Sequence, residues 1–197
     1  DVTNDDSPDF FGPGFRVFNA FNPHSTLIPW NRSNGVTSSI STPGYSSQIF
    51  KGMGSFYLLD GDIDITGNAD VAMYSRLGAV GGSRAETIQI MESMFELALN
   101  KDELELEELL GTTFASSMDM QLQDIQALSR VVNREIPLVL EVNRAIDILQ
   151  ALRLKNDYDL ELVLMSVEEA PLVLDQILAS GVSVIIDPMD NIPDSFD

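Results

Sequence analysis

The 197 residues carry 31 acidic against 11 basic side chains, a formal charge of −20, and no cysteine. A surface that acidic repels phosphate backbones and anionic membrane faces, so no nucleic-acid or membrane partner is expected. Disulfides, thiolate chemistry and cysteine-based metal sites are excluded outright, and no apolar run approaches the roughly 20 residues of a membrane span.

The absence of cysteine suits a soluble protein of cytoplasm or periplasm alike and leaves the compartment open. The chain begins DVTNDDSPDF without a signal-peptide pattern, which points to a removed leader or an excised segment. Residues 1–14 are acidic and rich in Pro and Gly, an irregular lead-in to a single α/β unit.

From 15 to 135 the pattern is one of early strands separated by long helical excursions. Phe15–Phe21 reads as a short strand or a packed loop. Pro29 sets a helix start near Thr26, because proline is tolerated only where its missing N–H has no helical partner, and Gly35 ends that helix. Val36–Thr42 has the β-branched content of a strand, and Ser55–Leu59 reads as the next. Asn68–Leu77 reads as a short helix or turn. Ser83 is placed to cap a long amphipathic helix, with Glu86 completing a capping box and Ile88, Met91, Phe95, Leu99 and Leu104 forming its buried stripe. The acidic run from Asp102 to Glu108 is a solvated face or loop. A second helix over Met118–Val132 presents Leu122, Ile125, Leu128 and Val132.

Residues 136–188 are the most regular part. Three apolar runs, Pro137–Val142, Leu160–Met165 and Val182–Ile186, alternate with two helical patterns. Bounded runs of that length suit strands buried on both faces of a parallel sheet. One helix shows Ala145, Ile148, Leu149 and Leu152; the other shows Ala170, Leu174, Ile177 and Leu178 and stops at Gly181. The result is a right-handed β-α-β-α-β run, followed by a polar tail over 189–197.

Parallel sheets do their chemistry where strands end. The strand-end positions hold Glu141, Asn143, Ser166 and Asp187, with no histidine, cysteine or lysine among them. Glu141 offers a metal ligand or general base, but with no histidine beside it a carboxylate in solvent or paired with Arg144 is the simpler reading. Asn143 is better explained as a helix N-cap than as a substrate contact. Ser166 resembles the start of a capping box, yet Pro171 falls where that helix would need an N–H, so the helix begins nearer Glu168 and leaves Ser166 in the loop. A serine nucleophile needs an adjacent base, and none is near. His24 is the only histidine and cannot make a multi-histidine zinc site alone. The acidic stretch from Asp60 to Asp70 fails the EF-hand template, since Val71 or Met73 stands where the bidentate Glu belongs, and an acidic turn is a better reading of it than a weak, irregular calcium loop. The glycines of residues 78–82 match neither a dinucleotide fingerprint nor a P-loop.

FNPHSTLIPWNRSNGVTSSISTPG with GMGSFYLLDG, then AMYSRLG with GGSRAE, and then VNRAIDILQALRL…LVLMSVEEAP…ASGVSVIIDPMDNIPDSF resemble, in that order, the amidohydrolase superfamily in its imidazolonepropionase-related branch. The resemblance implies an incomplete, TIM-like (β/α)8 barrel: a segment of parallel strands, two to seven, with the site at their C-terminal ends. Such enzymes hold zinc or another divalent metal and hydrolyse C–N bonds. Glu141 stands where the fifth-strand histidine would be, Ser166 where the sixth-strand histidine would be, and Tyr74 where some relatives carry a lysine. The expectation is therefore an amidohydrolase-like fragment without the usual metal ligands, inactive alone and holding no cofactor. Its partners would be the remainder of a parent barrel or a second copy, with a small-molecule substrate. Two alternatives accompany it: a non-catalytic binding or structural module, and a hydrolase using Glu141 and Asp187 with residues outside the chain.

Overall fold

The computed structural model describes residues 12–44, 48–62, 67–78, 83–102, 108 and 111–186. Asp187, Leu104, the lead-in up to residue 11 and the tail over 189–197 lie outside the described residues. So do residues 63–66 of the acidic turn and most of the acidic run after residue 102.

Six strands form one sheet in chain order: β1 (Ser38–Ser41), β2 (Phe50–Leu58), β3 (Gly67–Arg76), β4 (Leu138–Val142), β5 (Leu162–Ser166) and β6 (Ser183–Ile185). The helices are α1 (Leu27–Ser33), α2 (Arg84–Leu99), α3 (Thr113–Ser117), α4 (Leu122–Val132), α5 (Ala145–Asp157) and α6 (Leu174–Ser180). The sheet curls into a half-barrel. From β3 to β6 every neighbour is parallel, and each crossover contains at least one helix, as a (β/α) barrel requires. The opening is different: β1, β2 and β3 form an antiparallel meander.

The two faces of the sheet are built unequally. Met73, Leu138, Leu140, Val142, Leu162 and Leu164 point toward the helices and join Phe95, Ile125, Leu128, Ile148 and Ile177 in one contiguous core. Alternate residues, Ala72, Tyr74 and Val139 with Val163 and Met165, make a smaller apolar floor on the opposite face, the inner wall of the half-barrel. The expected stripe of α2 is only partly right. Met91 and Phe95 are fully buried and Ile88 is half-buried, but Leu99 is exposed and Met94, Leu97 and Ala98 take its place. Ser83 caps α2 as expected, its Oγ accepting from the Glu86 N–H at 3.1 Å.

Several boundaries move. The segment expected as a short helix or turn over 68–77 is strand β3. Ala72 and Met73 favour a helix locally, but a neighbour strand on each side supplies a full ladder that a turn cannot match. Residues 17–20 form a 3-10 turn, tied to the sheet by a bridge between Arg16 and Met53. Strand β2 starts five residues before Ser55, at Phe50. Helix α4 starts at Leu122, not Met118, because Asp119 is left-handed (φ 50°) and Gln121 is its N-cap. Pro171 sits in the first turn of a 3-10 turn over Ala170–Val173, which resolves its conflict with a cap at Ser166. Strand β6 is exposed along its length, in contrast to the doubly buried strand its sequence implies.

Candidate functional site

The parallel strands β3, β4 and β5 end together on one rim. Glu141 is the penultimate residue of β4 and pairs in register with Arg76 on β3 and Met165 on β5. It lies on the same face as Val139, so its carboxylate rises from the apolar inner floor. Because β2 runs antiparallel to β3, the start of β2 reaches the same rim as the end of β3.

Lys51 arrives there through a bulge. Phe50 pairs with Ser75 and Gly52 with Tyr74, so Lys51 is an extra residue that the ladder leaves unpaired. Gly52 is obligatory for this geometry. Its φ is +121°, and a Cβ would stand 2.6 Å from the carbonyl oxygen of Phe15. Phe15 in turn accepts the Met53 N–H at 2.7 Å, which anchors the bulged strand to the preceding loop.

The three side chains form one ionic cluster. Lys51 Nζ donates to Glu141 Oε2 at 2.5 Å, and Arg76 Nε lies 3.3 Å from Glu141 Oε1. Both carboxylate oxygens therefore face a cation. Side-chain exposure is 13% for Lys51, 18% for Glu141 and 39% for Arg76, so the acid and the lysine are largely withdrawn from water while the arginine reaches it. Glu141 thus pairs with Lys51 and Arg76, residues that a reading of the strand ends alone did not include. Sequence carried a weak signal for Lys51, a lone cation before the apolar run of β2. Nothing local placed it opposite Glu141, 90 residues away.

Beneath the cluster Tyr74 is buried against the backbone of Gly54, where a Cβ would meet the ring at 2.4 Å. Burial pushes its phenol upward from the ordinary value, so it stays neutral and donates no charge to the rim.

Asn143 and Ser166 flank the cluster without joining its ion pairs. Arg144, not Asn143, occupies the N-cap position of α5. The Ala145 N–H is instead bound by the carboxylate of Glu169 at 2.7 Å, reaching back from the loop after β5. Asn143 accepts the Glu169 N–H through its backbone oxygen at 2.9 Å, while its Oδ1 is buried without a hydrogen-bond partner among the described residues. Ser166 and Val167 are both left-handed, with φ of 74° and 53°. This non-glycine strain is held by the Val167 N–H bonding to the Val142 oxygen at 2.8 Å. His24 is exposed beside α1, its N–H bound to Asn22 Oδ1, and it is not among the strand-end residues.

Among the described residues no group of three or more His, Cys, Asp or Glu side chains is placed to hold a metal. A hydrolytic zinc site takes three protein ligands and an open position. The described strand-end candidates Glu141, Asn143 and Ser166 do not supply that donor set, since they hold one carboxylate and no histidine. No helix of the described residues is long and apolar enough to cross a membrane.

No family model matches the chain, and no curated protein matches it in sequence. Among solved structures it is similar to an amidohydrolase from Thermotoga maritima MSB8, with a TM-score of 0.76 at 20% identity. The match covers 97% of this chain and 52% of that one, so the chain spans about half the length of its structural neighbour. The likeness is one of fold alone.

Proposed function

We propose that the chain forms one wall of an amidohydrolase-like substrate pocket and hydrolyses nothing by itself. The observation that carries this reading is the state of Glu141. It stands where the resemblance puts a metal-binding histidine, and both its oxygens are turned to Lys51 and Arg76. A carboxylate so engaged has its charge balanced by its own cations, which makes it a weaker metal ligand and a weaker base. The quoted motifs favour the imidazolonepropionase-related branch for the parent enzyme.

In this reading the chain holds no cofactor of its own, and the remainder of a longer barrel or a second copy covers the outer edges of β1 and β6. Neither edge pairs with another strand among the described residues. Unpaired edges of this kind template association. Helix α2 packs on α4.

The test is metal analysis of the purified chain with an amide-hydrolysis assay before and after chelation. The expected result is substoichiometric zinc and no turnover. Stoichiometric zinc whose removal abolishes hydrolysis would sink the proposal. Sedimentation of a strict monomer with fast-exchanging β1 and β6 amides would count against edge association.

A further inference from the structure

In a chain of charge −20, the rim cluster is unusual in its balance. Two cations, Lys51 and Arg76, share one carboxylate, Glu141. Elsewhere among the described residues the ion pairs run the other way or even out. Arg153 meets both Glu92 and Asp157, Arg84 meets Asp147, Arg134 meets Asp159, and Arg16 with Arg130 faces Asp70 and Glu135. The positive excess sits at the strand ends on the inner face, directly above the apolar floor of Tyr74, Val139, Val163 and Met165.

We infer that Lys51 and Arg76 form a metal-independent binding centre for a small carboxylate with an apolar body. Arg76 approaches Glu141 through Nε, and its two terminal nitrogens donate no hydrogen bond to a described residue, which leaves a fork suited to bidentate pairing with a carboxylate. Lys51 is held by the bulge with one donor committed to Glu141 and others remaining on the same ammonium. Glu141 fixes both cations in place and cancels one charge, so the centre takes one negative group. The apolar body of the ligand lies on Met165 and Val163, which are only half-buried on the same face. A fixed internal cation pair thus supplies the positive charge that a metal would supply in a zinc hydrolase.

This inference rests on the metal-free reading above, and the two fail separately. Zinc content with chelator-sensitive turnover fails that reading; hexanoate binding decides this one. The experiment is calorimetric titration of the full chain, in chelator, with hexanoate and with its neutral amide, hexanamide. Hexanoate is expected to bind saturably and hexanamide not. Arg76→Gln is expected to weaken hexanoate by about tenfold or more, with partial recovery in Arg76→Lys. Met165→Glu keeps both cations and places a second carboxylate beside Glu141, and it is expected to abolish binding even if Arg76→Gln misfolds. Equal binding of acid and amide, no binding of hexanoate, undiminished binding by a folded Arg76→Gln or by Met165→Glu, or binding that requires added zinc would each overturn the assignment.

Discussion

Replacing Glu141 by Gln keeps the shape of the side chain and removes its charge, leaving Lys51 largely buried with no carboxylate to face. Removing one partner of a fully buried ion pair costs about 3–5 kcal/mol, whereas an exposed pair contributes about 0–1 kcal/mol. Lys51 and Glu141 retain 13% and 18% exposure, close to the buried limit, while Arg76 at 39% recovers its hydration and adds little. The expected loss is about 2 kcal/mol, or a Tm lowered by about 4–8 °C for a chain of this size. Urea denaturation of Glu141→Gln, Lys51→Met and the double variant measures it as a cycle. A coupling of about 1.5 kcal/mol or more is expected, with the double variant more stable than Glu141→Gln because no orphan charge remains. A Glu141→Gln protein within about 0.5 kcal/mol of the parent would refute the claim that the rim carboxylate neutralises a buried lysine.

Gly52→Ala meets both a left-handed φ of +121° and a carbonyl oxygen 2.6 Å from the new Cβ. It is expected to cost at least about 2 kcal/mol in the same urea assay, and an unchanged midpoint would show that the bulge is not fixed as described. Burial raises the phenol pKa of Tyr57, Tyr74 and Tyr158. Each therefore holds its proton longer folded than unfolded, so the stability it contributes is complete below about pH 10 and is lost as pH rises through the folded value. Phenolate absorbance from these residues should appear late and together with loss of far-UV dichroism. A gradual titration at the ordinary value with the fold intact would contradict that sign.

The parallel half of the fold was readable because its signals are local. LVLEV and LVLMS are short, apolar and bounded, and Gly181 adopts the left-handed C-cap (φ 67°) that its position after Ser180 implies. The antiparallel half was not. Lys51-Gly52-Met53-Gly54 interrupts the apolar pattern of β2, since its glycines are there to admit the Phe15 backbone and the Tyr74 ring rather than to pack. Strand β3 lacks the β-branched run that marks a strand and owes its form to neighbours on both sides. The site divides in the same way. Glu141 is visible as a strand-end acid, but its partners are supplied by the topology, through an antiparallel strand that returns Lys51 to the rim. Local pattern contains no information about such a return.

The stitching between the two rim loops has a consequence for how this protein varies. Val167 bonds back to Val142, Glu169 bonds to the oxygen of Asn143, and the carboxylate of Glu169 closes the open end of α5 at Ala145. In most barrels each loop is a separate module that can be lengthened or exchanged without disturbing the next. Here the loop after β5 supplies the missing cap of the helix after β4. An insertion between Ser166 and Glu169 would therefore fray α5 while leaving every residue of α5 untouched. The two loops can be remodelled only as a pair.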